Sequence, residues 1–590
     1  MTKKQIFWLL LAVCVLTLIP FLGLAEFNTK GEPREAVVSM SMLDTGNWVL
    51  PRNNGGEMPY KPMFFHWCVA AVSSLVGGVN EFTSRFPSAI ALMALVLSTF
   101  VFFARRKGKD IGLVTALIVL LCMELHRAGA NCRVDMVLTA LTVGAIFMFY
   151  RWYERGMKGV PLIATLLMSL GTMTKGPVGF IIPCIVIGGF LLLKSCLDKT
   201  ELKWKTFFLA CLKIFASAVL SFVLPALWYY AAYQQGGQEF WDLMYEENIG
   251  RMTHSMGYES CVEPWWFTVL TLTYGFVPFT LLLVFGLFSL KGEGGRLKVK
   301  GNSLSKWLAA RTDTTLFSIV GAVIIVVFYS IPQSKRSVYV MPAYPFIAYF
   351  IAQFMWWLAE NGKKSIKVYN CVLAGAGILA FVAFVLFKIR LIPETWFSGS
   401  HAAENIATIN AIGDMSSWWE LLLILIPTFV CGYYFVSLRS SSDVKGERAK
   451  FEVYFSLVMA LAINLAVDGA YKNPALNVKS VKYIAEDLKE LQLKTSGQSG
   501  APLTYYEYIE IGEQALGDPV HYFELNFYLH NTIENFLKSR PNEGLLLIGE
   551  DDFVLRFPDF EKEGYEFFGP LYVSDKEVVG QIMNVYRFQR

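Results

Sequence analysis

Residues 86–104 read FPSAIALMALVLSTFVFFA, a run without a charged side chain, and residues 105–109 read RRKGK. Such a run is long enough to cross the ~30 Å hydrocarbon core of a bilayer as a helix. The cations that follow resist translocation, so they predict that this end of the helix lies on the inner side of the membrane. An apolar run of this length followed by cations is typical of a transmembrane helix. Similar runs recur along the chain, so this pattern decides the fold class.

The overall composition argues against an ordinary soluble multidomain protein. The 590 residues are 54% hydrophobic and 17% charged, whereas soluble domains are about 25% charged. The formal net charge of +4 is small for this length, and the Lys and Arg residues are spread among many loops, which argues against a nucleic-acid partner. We therefore predict an all-α polytopic membrane protein.

Thirteen apolar runs are predicted to be transmembrane helices. The first, 5–25, is long for the apolar part of a signal peptide, so we expect an uncleaved span with the N-terminus inside. The interval 160–193 is the least regular, because Gly171, Gly176 and Pro177 interrupt it. The runs are 5–25, 86–104, 110–126, 134–150, 160–174, 177–193, 206–232, 265–290, 314–331, 338–358, 368–389, 417–437 and 452–468.

Alternate loops between these runs carry clusters of Lys and Arg, as the positive-inside rule requires of inner loops. With an odd number of spans, the C-terminus is then expected outside. The clusters fall within 105–109, 151–158, 194–205, 291–300, 363–367 and 445–450.

From about residue 470 the composition becomes that of a soluble domain. We predict a membrane domain over 1–470, with a long first outer segment at 26–85, and a small extracytoplasmic α/β domain over 471–590. The predicted elements of this domain include a helix at 478–491 and β-rich runs at 503–508 and 545–549.

The first outer segment contains the most distinctive residues of the chain. Pro33 suits the first position of a helix, and the apolar residues among 37–43 would form one face of that helix. The run Met63–Val76 has a similar apolar character, so we expect two helices lying on the membrane surface. These helices would bring Glu32, Arg34 and Lys61 to the level of the lipid headgroups. A lipid-linked substrate presents its phosphate at that level.

Several motifs occur in a characteristic order. They are E-P-R-E-A at 32–36, G-N-W-x-x-P at 46–51, K-P at 61–62, E-F-x-x-R-x-P-S-A at 81–89, an Asp at the membrane border at 135, T-K-G-P at 174–177 and S-K-R-S-V-Y-V-M-P at 334–342. This order resembles the bacterial aminoarabinose transferases of lipid A and the related protein O-mannosyltransferases, which are GT-C glycosyltransferases that use polyprenyl-phosphate sugars. The resemblance covers about 470 residues.

The resemblance implies an inverting glycosyltransferase of the bacterial inner membrane, with its active site and C-terminal domain on the periplasmic side. It implies an undecaprenyl-phosphate sugar as donor, such as 4-amino-4-deoxy-L-arabinose, and lipid A or another glycolipid or protein on the outer face as acceptor. No cofactor and no metal are expected, because Lys and Arg can hold the departing phosphate. A protein O-glycosyltransferase and a lipid-glycan flippase are the alternative functions.

Three carboxylates are candidate catalytic residues. The family has an Asp-Glu pair at the start of the first outer helix, where this chain has Gly31-Glu32, so the base or acceptor-orienting role falls to Glu32, with Glu35 in reserve. Helix capping by Glu32 is the alternative. Asp135 matches an acidic position of the family and would orient the acceptor or hold Arg34 in place, or else simply form an ion pair with Arg133 or Arg34.

The resemblance also implies residues that bind the carrier phosphate. Lys61 matches the Lys of the family's K-P-P motif, although Met63 replaces the second Pro, and it is the leading candidate. Arg251 matches an Arg of the loop after the seventh span, and Tyr339 matches a phosphate-contacting Tyr. Two cations and a phenol would satisfy a phosphate well.

Four further cations are candidate substrate-binding residues. Arg34 and Arg85 belong to the first outer segment, whereas Lys335 and Arg336 occupy a short loop that would bind the carrier or an anionic acceptor. Each cation has a structural alternative. It could extend toward the lipid headgroups, and the last two could instead neutralise the acidic loop 239–263.

Overall fold

The computed structural model describes residues 1–197, 204–247, 262–291, 304–399, 401–438, 445–495, 501–509 and 521–590. The chain divides into two compact units. The first unit comprises residues 1–25, 85–227 and 260–478, and the second comprises 26–84, 228–259 and 479–590. Most of the first outer segment therefore shares a unit with the C-terminal residues.

The α-helices account for most of the described chain. Those up to residue 247 are α1 (Lys3–Leu18), α2 (Gly31–Thr45), α3 (Phe64–Val76), α4 (Glu81–Arg106), α5 (Lys109–Leu121), α6 (Met123–Gly129), α7 (Val134–Glu154), α8 (Leu162–Lys175), α9 (Val178–Leu197), α10 (Trp204–Ser221) and α11 (Val223–Tyr245). Those that follow are Phe267–Gly275, Phe279–Lys291, Leu304–Ala309, Asp313–Ser330, Tyr344–Glu360, Lys364–Lys388, Ala402–Asp414, Trp418–Ser437, Lys445–Ala466, Lys472–Asn477, Lys482–Lys494, Phe523–Tyr528, Phe536–Ser539 and Glu550–Lys562.

Long apolar helices form the first unit, and the predicted polytopic membrane fold is confirmed. In the described ranges, 10 helices are long and apolar enough to cross a membrane, or up to 12 if each of two bent pairs counts as one span. Each of the thirteen predicted runs contains a helix. The fifth run is α8, which at 14 residues is shorter than a usual span, and this explains the difference from about thirteen spans.

Aromatic packing and ion pairs hold the helices of the first unit together. The rings of Phe102 and Phe147, on α4 and α7, stack with their centroids 4.1 Å apart. Lipid supplies little hydrophobic drive between helices, so close packing of this kind carries much of the association. Some cations assigned to inner loops are held by carboxylates, as in the 2.9 Å contact between Lys194 Nζ and Asp313 Oδ1.

The second unit combines α2 and α3 with a five-stranded mixed sheet, which confirms the predicted C-terminal α/β fold. The strands are β1 (Tyr505–Glu507), β2 (Glu534–Asn535), β3 (Glu543–Gly549), β4 (Glu566–Val578) and β5 (Gln581–Gln589), in the order β2-β1-β3-β5-β4. Strand β1 is parallel to β2 and β3, and β5 is antiparallel to β3 and β4. A buried aromatic cluster that includes Phe536, Phe560 and Phe588 packs against the sheet.

Helix α2 begins two residues earlier than the position of Pro33 predicted. Its first residue is Gly31, and Lys30 occupies the N-cap position, so Glu32 lies in the first turn rather than at the cap. The helix ends at Gly46, whose φ of +69° is the left-handed conformation that glycine adopts easily. Glu32 and Glu35 are both buried on this helix.

Candidate active site

Glu35 lies at the centre of a charged cluster in the second unit. Its side chain is buried, and its carboxylate forms an ion pair with Lys61 and lies 3.3 Å from Arg34 Nη2. Its Oε2 atom is 3.0 Å from Nε2 of His66, which is buried on α3. The packing of α2 against α3 therefore brings together three predicted site residues: Arg34, Glu35 and Lys61.

The ring of Tyr60 completes this cluster. The guanidinium carbon of Arg34 lies 4.9 Å from the ring centroid, and Nζ of Lys61 lies 5.2 Å from it. Both cations therefore contact a carboxylate and an aromatic face. Arg34 and Lys61 place two cations beside the carboxylate of Glu35, and the charge of Glu247 also acts on Arg34. Two cations held side by side in this way suit the binding of a phosphate.

The charges around Glu35 determine its protonation. Burial alone would raise the pKa of its carboxyl, but Lys61, the hydrogen bond from His66 and the nearby Arg34 outweigh burial and hold that pKa well below its usual range. Glu35 is therefore a carboxylate at neutral pH and a weak base. This environment favours a role in positioning Lys61 and Arg34 over the reserve catalytic role that the sequence suggested.

The carboxyl group of Glu524, in the C-terminal residues, lies near enough to Glu32 for the two charges to interact. The short helix Phe523–Tyr528 packs against α2 and carries Glu524. Burial raises the pKa of Glu524 to about 7; Lys576 acts in the opposite direction, and the charge of Glu32 raises the pKa further. Sequence reasoning missed Glu524, because nothing in the C-terminal sequence forms a recognisable motif around it.

Asp135 lies in a second cluster, within the first unit. It occupies the first turn of α7, and its carboxylate forms an ion pair with Lys175 in the last turn of α8. The ammonium of Lys175 lies 4.2 Å from the centroid of the Tyr339 ring. Residues from three separate motifs therefore meet here, and the ion-pair partner of Asp135 is Lys175, whereas the sequence suggested an Arg.

Arg85 is buried near the start of α4, at the beginning of the second segment of the first unit. Its Nη1 atom donates hydrogen bonds to the main-chain carbonyls of Leu22, at 2.8 Å, and Ala25, at 2.5 Å. These contacts hold the chain just after α1. The guanidinium therefore has a structural task where the sequence suggested substrate binding.

The loop that contains Lys335 and Arg336 shows two different environments. Lys335 is buried, and its ammonium donates a 2.7 Å hydrogen bond to the main-chain carbonyl of Glu263. This contact joins the loop to the last residue of the acidic segment 239–263 through a main-chain carbonyl and not through a carboxylate. Arg336 is exposed, and Arg251 lies outside the described residues.

Comparisons with known proteins point to the same families that the motifs resemble. The family described as dolichyl-phosphate-mannose-protein mannosyltransferase matches residues 60–229. The chain is 26% identical to an undecaprenyl phosphate-alpha-4-amino-4-deoxy-L-arabinose arabinosyl transferase of Edwardsiella ictaluri, over 71% of this chain and 73% of that protein. It is 23% identical to the protein of the same name in Shewanella sediminis, over 80% of this chain and 79% of that protein.

The fold has a solved counterpart of nearly the same extent. The crystal structure of ArnT from Cupriavidus metallidurans bound to undecaprenyl phosphate superposes with a TM-score of 0.68 at 16% identity. The superposition covers 98% of this chain and 97% of that one. The similarity therefore extends over the membrane helices and the C-terminal residues alike.

Proposed function

We propose that this chain, a member of the GT-C glycosyltransferase family that contains the bacterial aminoarabinose transferases and the protein O-mannosyltransferases, transfers a sugar from undecaprenyl phosphate to lipid A. The sugar in this proposal is 4-amino-4-deoxy-L-arabinose, as in the names of the relatives. The reaction takes place at the periplasmic face of a multi-pass inner-membrane protein, and another acceptor on that face would use the same donor chemistry.

The observation that carries the proposal is the cluster around Glu35. Lys61 and Arg34 are pre-organised by a buried carboxylate and by the ring of Tyr60. Fixed cations in a site stabilise the charge that develops on the phosphate in the transition state better than water does. They need little reorganisation as that charge develops. We assign to these two residues the binding of the carrier phosphate, without a metal ion.

The proposed reaction is a single inverting displacement. An acceptor oxygen forms a bond to the anomeric carbon of the sugar while the bond from that carbon to the phosphate oxygen breaks. The electron pair of the broken bond leaves with undecaprenyl phosphate, whose new charge Lys61 and Arg34 neutralise. A phosphate of lipid A is already an anionic nucleophile, whereas a hydroxyl acceptor must give its proton to a carboxylate.

Glu32 and Asp135 are the proposed carboxylates for the acceptor. Glu32 is the base or orienting group at the start of α2, and Asp135 orients the acceptor from the start of α7. Glu35 is proposed to position the two phosphate-binding cations, because its pKa is held too low for effective proton transfer.

The remaining candidates are proposed either to bind substrate or to shape the chain around the site. Tyr339, Arg251 and Arg336 are proposed contacts of the carrier phosphate or of an anionic acceptor. Arg85 and Lys335 donate to main-chain carbonyls, so we propose that they shape the chain around the site.

A protein acceptor is the second candidate function. It is supported by the match of residues 60–229 to the protein mannosyltransferase family. The donor half of the reaction would be the same, and a Ser or Thr hydroxyl would place a greater demand on the base.

The deciding experiment uses the purified full-length protein in detergent. Undecaprenyl phosphate carrying radiolabelled 4-amino-4-deoxy-L-arabinose is offered with lipid A in one reaction and with a Ser/Thr-rich peptide in another, each with and without EDTA. Label on lipid A that persists in EDTA is the expected result. Label on the peptide alone would establish the second candidate, and no consumption of this donor or of a panel of polyprenyl-phosphate sugars would refute the transferase proposal.

A further inference from the structure

The turn Asn53–Glu57 is joined to the C-terminal residues of its own unit by a buried polar network. At the tip of the turn, Asn54 Nδ2 donates a 2.9 Å hydrogen bond to Glu507 Oε1, and Asn54 Oδ1 accepts a 2.7 Å hydrogen bond from Asn526 Nδ2. All three side chains are fully buried, at 0% exposure. Residues that are 453 positions apart in the chain are therefore linked directly.

Each member of this network has additional partners. Glu507 Oε1 also lies 2.8 Å from Nδ1 of His521, and Glu507 Oε2 accepts a hydrogen bond from the main-chain N–H of Tyr522 at 3.0 Å. Asn526 Oδ1 accepts from the main-chain N–H of Ile533 at 3.0 Å. A buried network that is this well satisfied is rigid, because any shift would leave a polar group unpaired in the interior.

Gly55 allows the turn to approach the C-terminal residues closely. A Cβ atom at this position would lie 2.4 Å from the main-chain nitrogen of Asn535 and 2.8 Å from Cα of Glu534. Both neighbours are backbone atoms of β2 and cannot rotate away. The φ of +69° at Gly55 is also unfavourable for any other residue.

The position of the turn matters because Lys61 lies only four residues beyond its end. The intervening segment is anchored on one side by the buried network and on the other by the ion pair of Lys61 with Glu35. Pre-ordering a binding group lowers the entropy that is lost when the ligand binds.

We infer that Asn54, Glu507 and Asn526 are positioning residues for Lys61, and that the C-terminal residues thereby hold the donor-binding lysine in place. This inference rests on the proposed function, since it takes the phosphate of a polyprenyl carrier as the ligand of Lys61. It gives the C-terminal residues a task in donor binding.

The main test compares two glycine substitutions with the same backbone cost. Gly55→Ala places a methyl group against β2, whereas at Gly46, which has the same φ of +69°, a Cβ atom would meet nothing within 4 Å. Undecaprenyl phosphate is titrated into each purified full-length variant. We expect Gly55→Ala to raise the Kd about tenfold, the effect of roughly 1.4 kcal/mol, and Gly46→Ala to change it less than about twofold.

A hydrogen-bond exchange gives a second test that does not depend on Gly55→Ala folding. Asn54→Asp places a carboxylate against Glu507 and should weaken donor binding. The double variant Asn54→Asp/Glu507→Gln restores the hydrogen bond with donor and acceptor exchanged, so it should recover most of the affinity. In the transfer reaction the effect should appear in KM more than in kcat, whereas simple loss of folded protein would lower the maximal rate and leave KM unchanged.

The outcomes separate this inference from the proposed function. If the wild-type protein binds the carrier, equal Kd values for Gly55→Ala and Gly46→Ala, or a double variant no tighter than Asn54→Asp, would overturn the positioning role alone. A wild-type protein that does not bind undecaprenyl phosphate would overturn the proposed function and this inference with it.

Discussion

The two units each contain a carboxylate, a lysine and a tyrosine in the same arrangement, and they differ in what surrounds the carboxylate. In the second unit, Lys61 pairs with Glu35 and lies over Tyr60, whereas in the first unit Lys175 pairs with Asp135 and lies near Tyr339. Arg34 and His66 contact Glu35 in addition.

The additional side chains Arg34 and His66 give the two clusters different chemistry. The Glu35 cluster places two cations beside one carboxyl group and keeps that carboxyl ionised, so Glu35 has little proton affinity and the two cations suit an anion. In the other cluster, the charges of Asp135 and Lys175 are equal in number. The same three residue types can therefore serve phosphate binding in one place and acceptor orientation in the other.

The largest expected effect is on turnover in Asp135→Asn. If Asp135 acts on the acceptor, its loss should lower kcat by about 10²- to 10⁴-fold, measured per folded protein, because the substitution also removes one partner of the ion pair with Lys175. Asp313→Asn is the matched control, since Asp313 also opens an apolar helix and lies 2.9 Å from a lysine, Lys194. Radiolabel transfer at saturating donor measures the rate. A kcat in Asp135→Asn equal to that of the wild-type protein would show that Asp135 does not act on the acceptor.

The next effect is on stability in Glu35→Gln. The substitution leaves Lys61 and Arg34 close together without their shared carboxylate, and removing one partner of a buried ion pair typically costs about 3–5 kcal/mol. The exposed carboxylate of Glu563, which pairs with Arg540, supplies the control Glu563→Gln, with an expected cost below about 1 kcal/mol. Thermal unfolding in detergent measures both, and similar Tm values would show that the Glu35 cluster is not held by its carboxylate.

The sequence predicted the parts of this comparison that depend on local pattern. The bilayer imposes a length and an apolar composition on each span, so the helical runs could be read directly from the sequence. The sequence also predicted that Arg34 and Lys61 lie close together, because α2 and α3 are neighbours in the chain, but it grouped them with Glu32 and not with Glu35. Among the described helices, the short length of α8, the bends within the runs 110–126 and 265–290, the start of α2 and the bounds of the predicted helix 478–491 differed from prediction.

Contacts between distant segments could not be predicted in this way. The pairing of Asp135 with Lys175 depends on how α7 packs against α8, and the link from Asn54 to Glu507 joins opposite ends of the sequence. The position of Glu524 near Glu32 likewise depends on the packing of two helices. Periodicity gives the face of a helix and not its neighbour, so these partners required the structure.

Lys61→Ala and Lys175→Ala compare the two lysines directly. Loss of a charged hydrogen bond to the carrier phosphate should cost about 1.5–3 kcal/mol, so Lys61→Ala should weaken undecaprenyl phosphate binding about tenfold or more. Lys175→Ala should act mainly on kcat, through the position of Asp135. Equilibrium binding and steady-state kinetics separate the two effects, and equal Kd changes in both variants would mean that the clusters do not divide the work as proposed.

The smallest effect concerns Glu524, whose pKa shift is opposite to that of Glu35. Its pKa of about 7 lies above its usual value of 4.5, so the stability associated with its protonated form is complete below about pH 4.5 and is lost as the pH rises through 7. Glu524→Gln should therefore become more stable relative to wild type as the pH rises from 5 to 8.

Glu35 should show the reverse dependence, which makes the pair of variants a sharp test of the charge argument. Its lowered pKa stabilises the fold above the usual value of 4.5 and stops doing so as the pH falls through the folded-state pKa. The cost of Glu35→Gln should therefore shrink in acid, while the gain from Glu524→Gln grows in base. Tm measured from pH 2 to 8 tests both, because the Glu35 effect is lost below pH 4.5, with Glu490→Gln, at a carboxylate that is 72% exposed, as the flat reference. Parallel curves for the two variants would show that the surrounding charges do not set these two carboxyls apart.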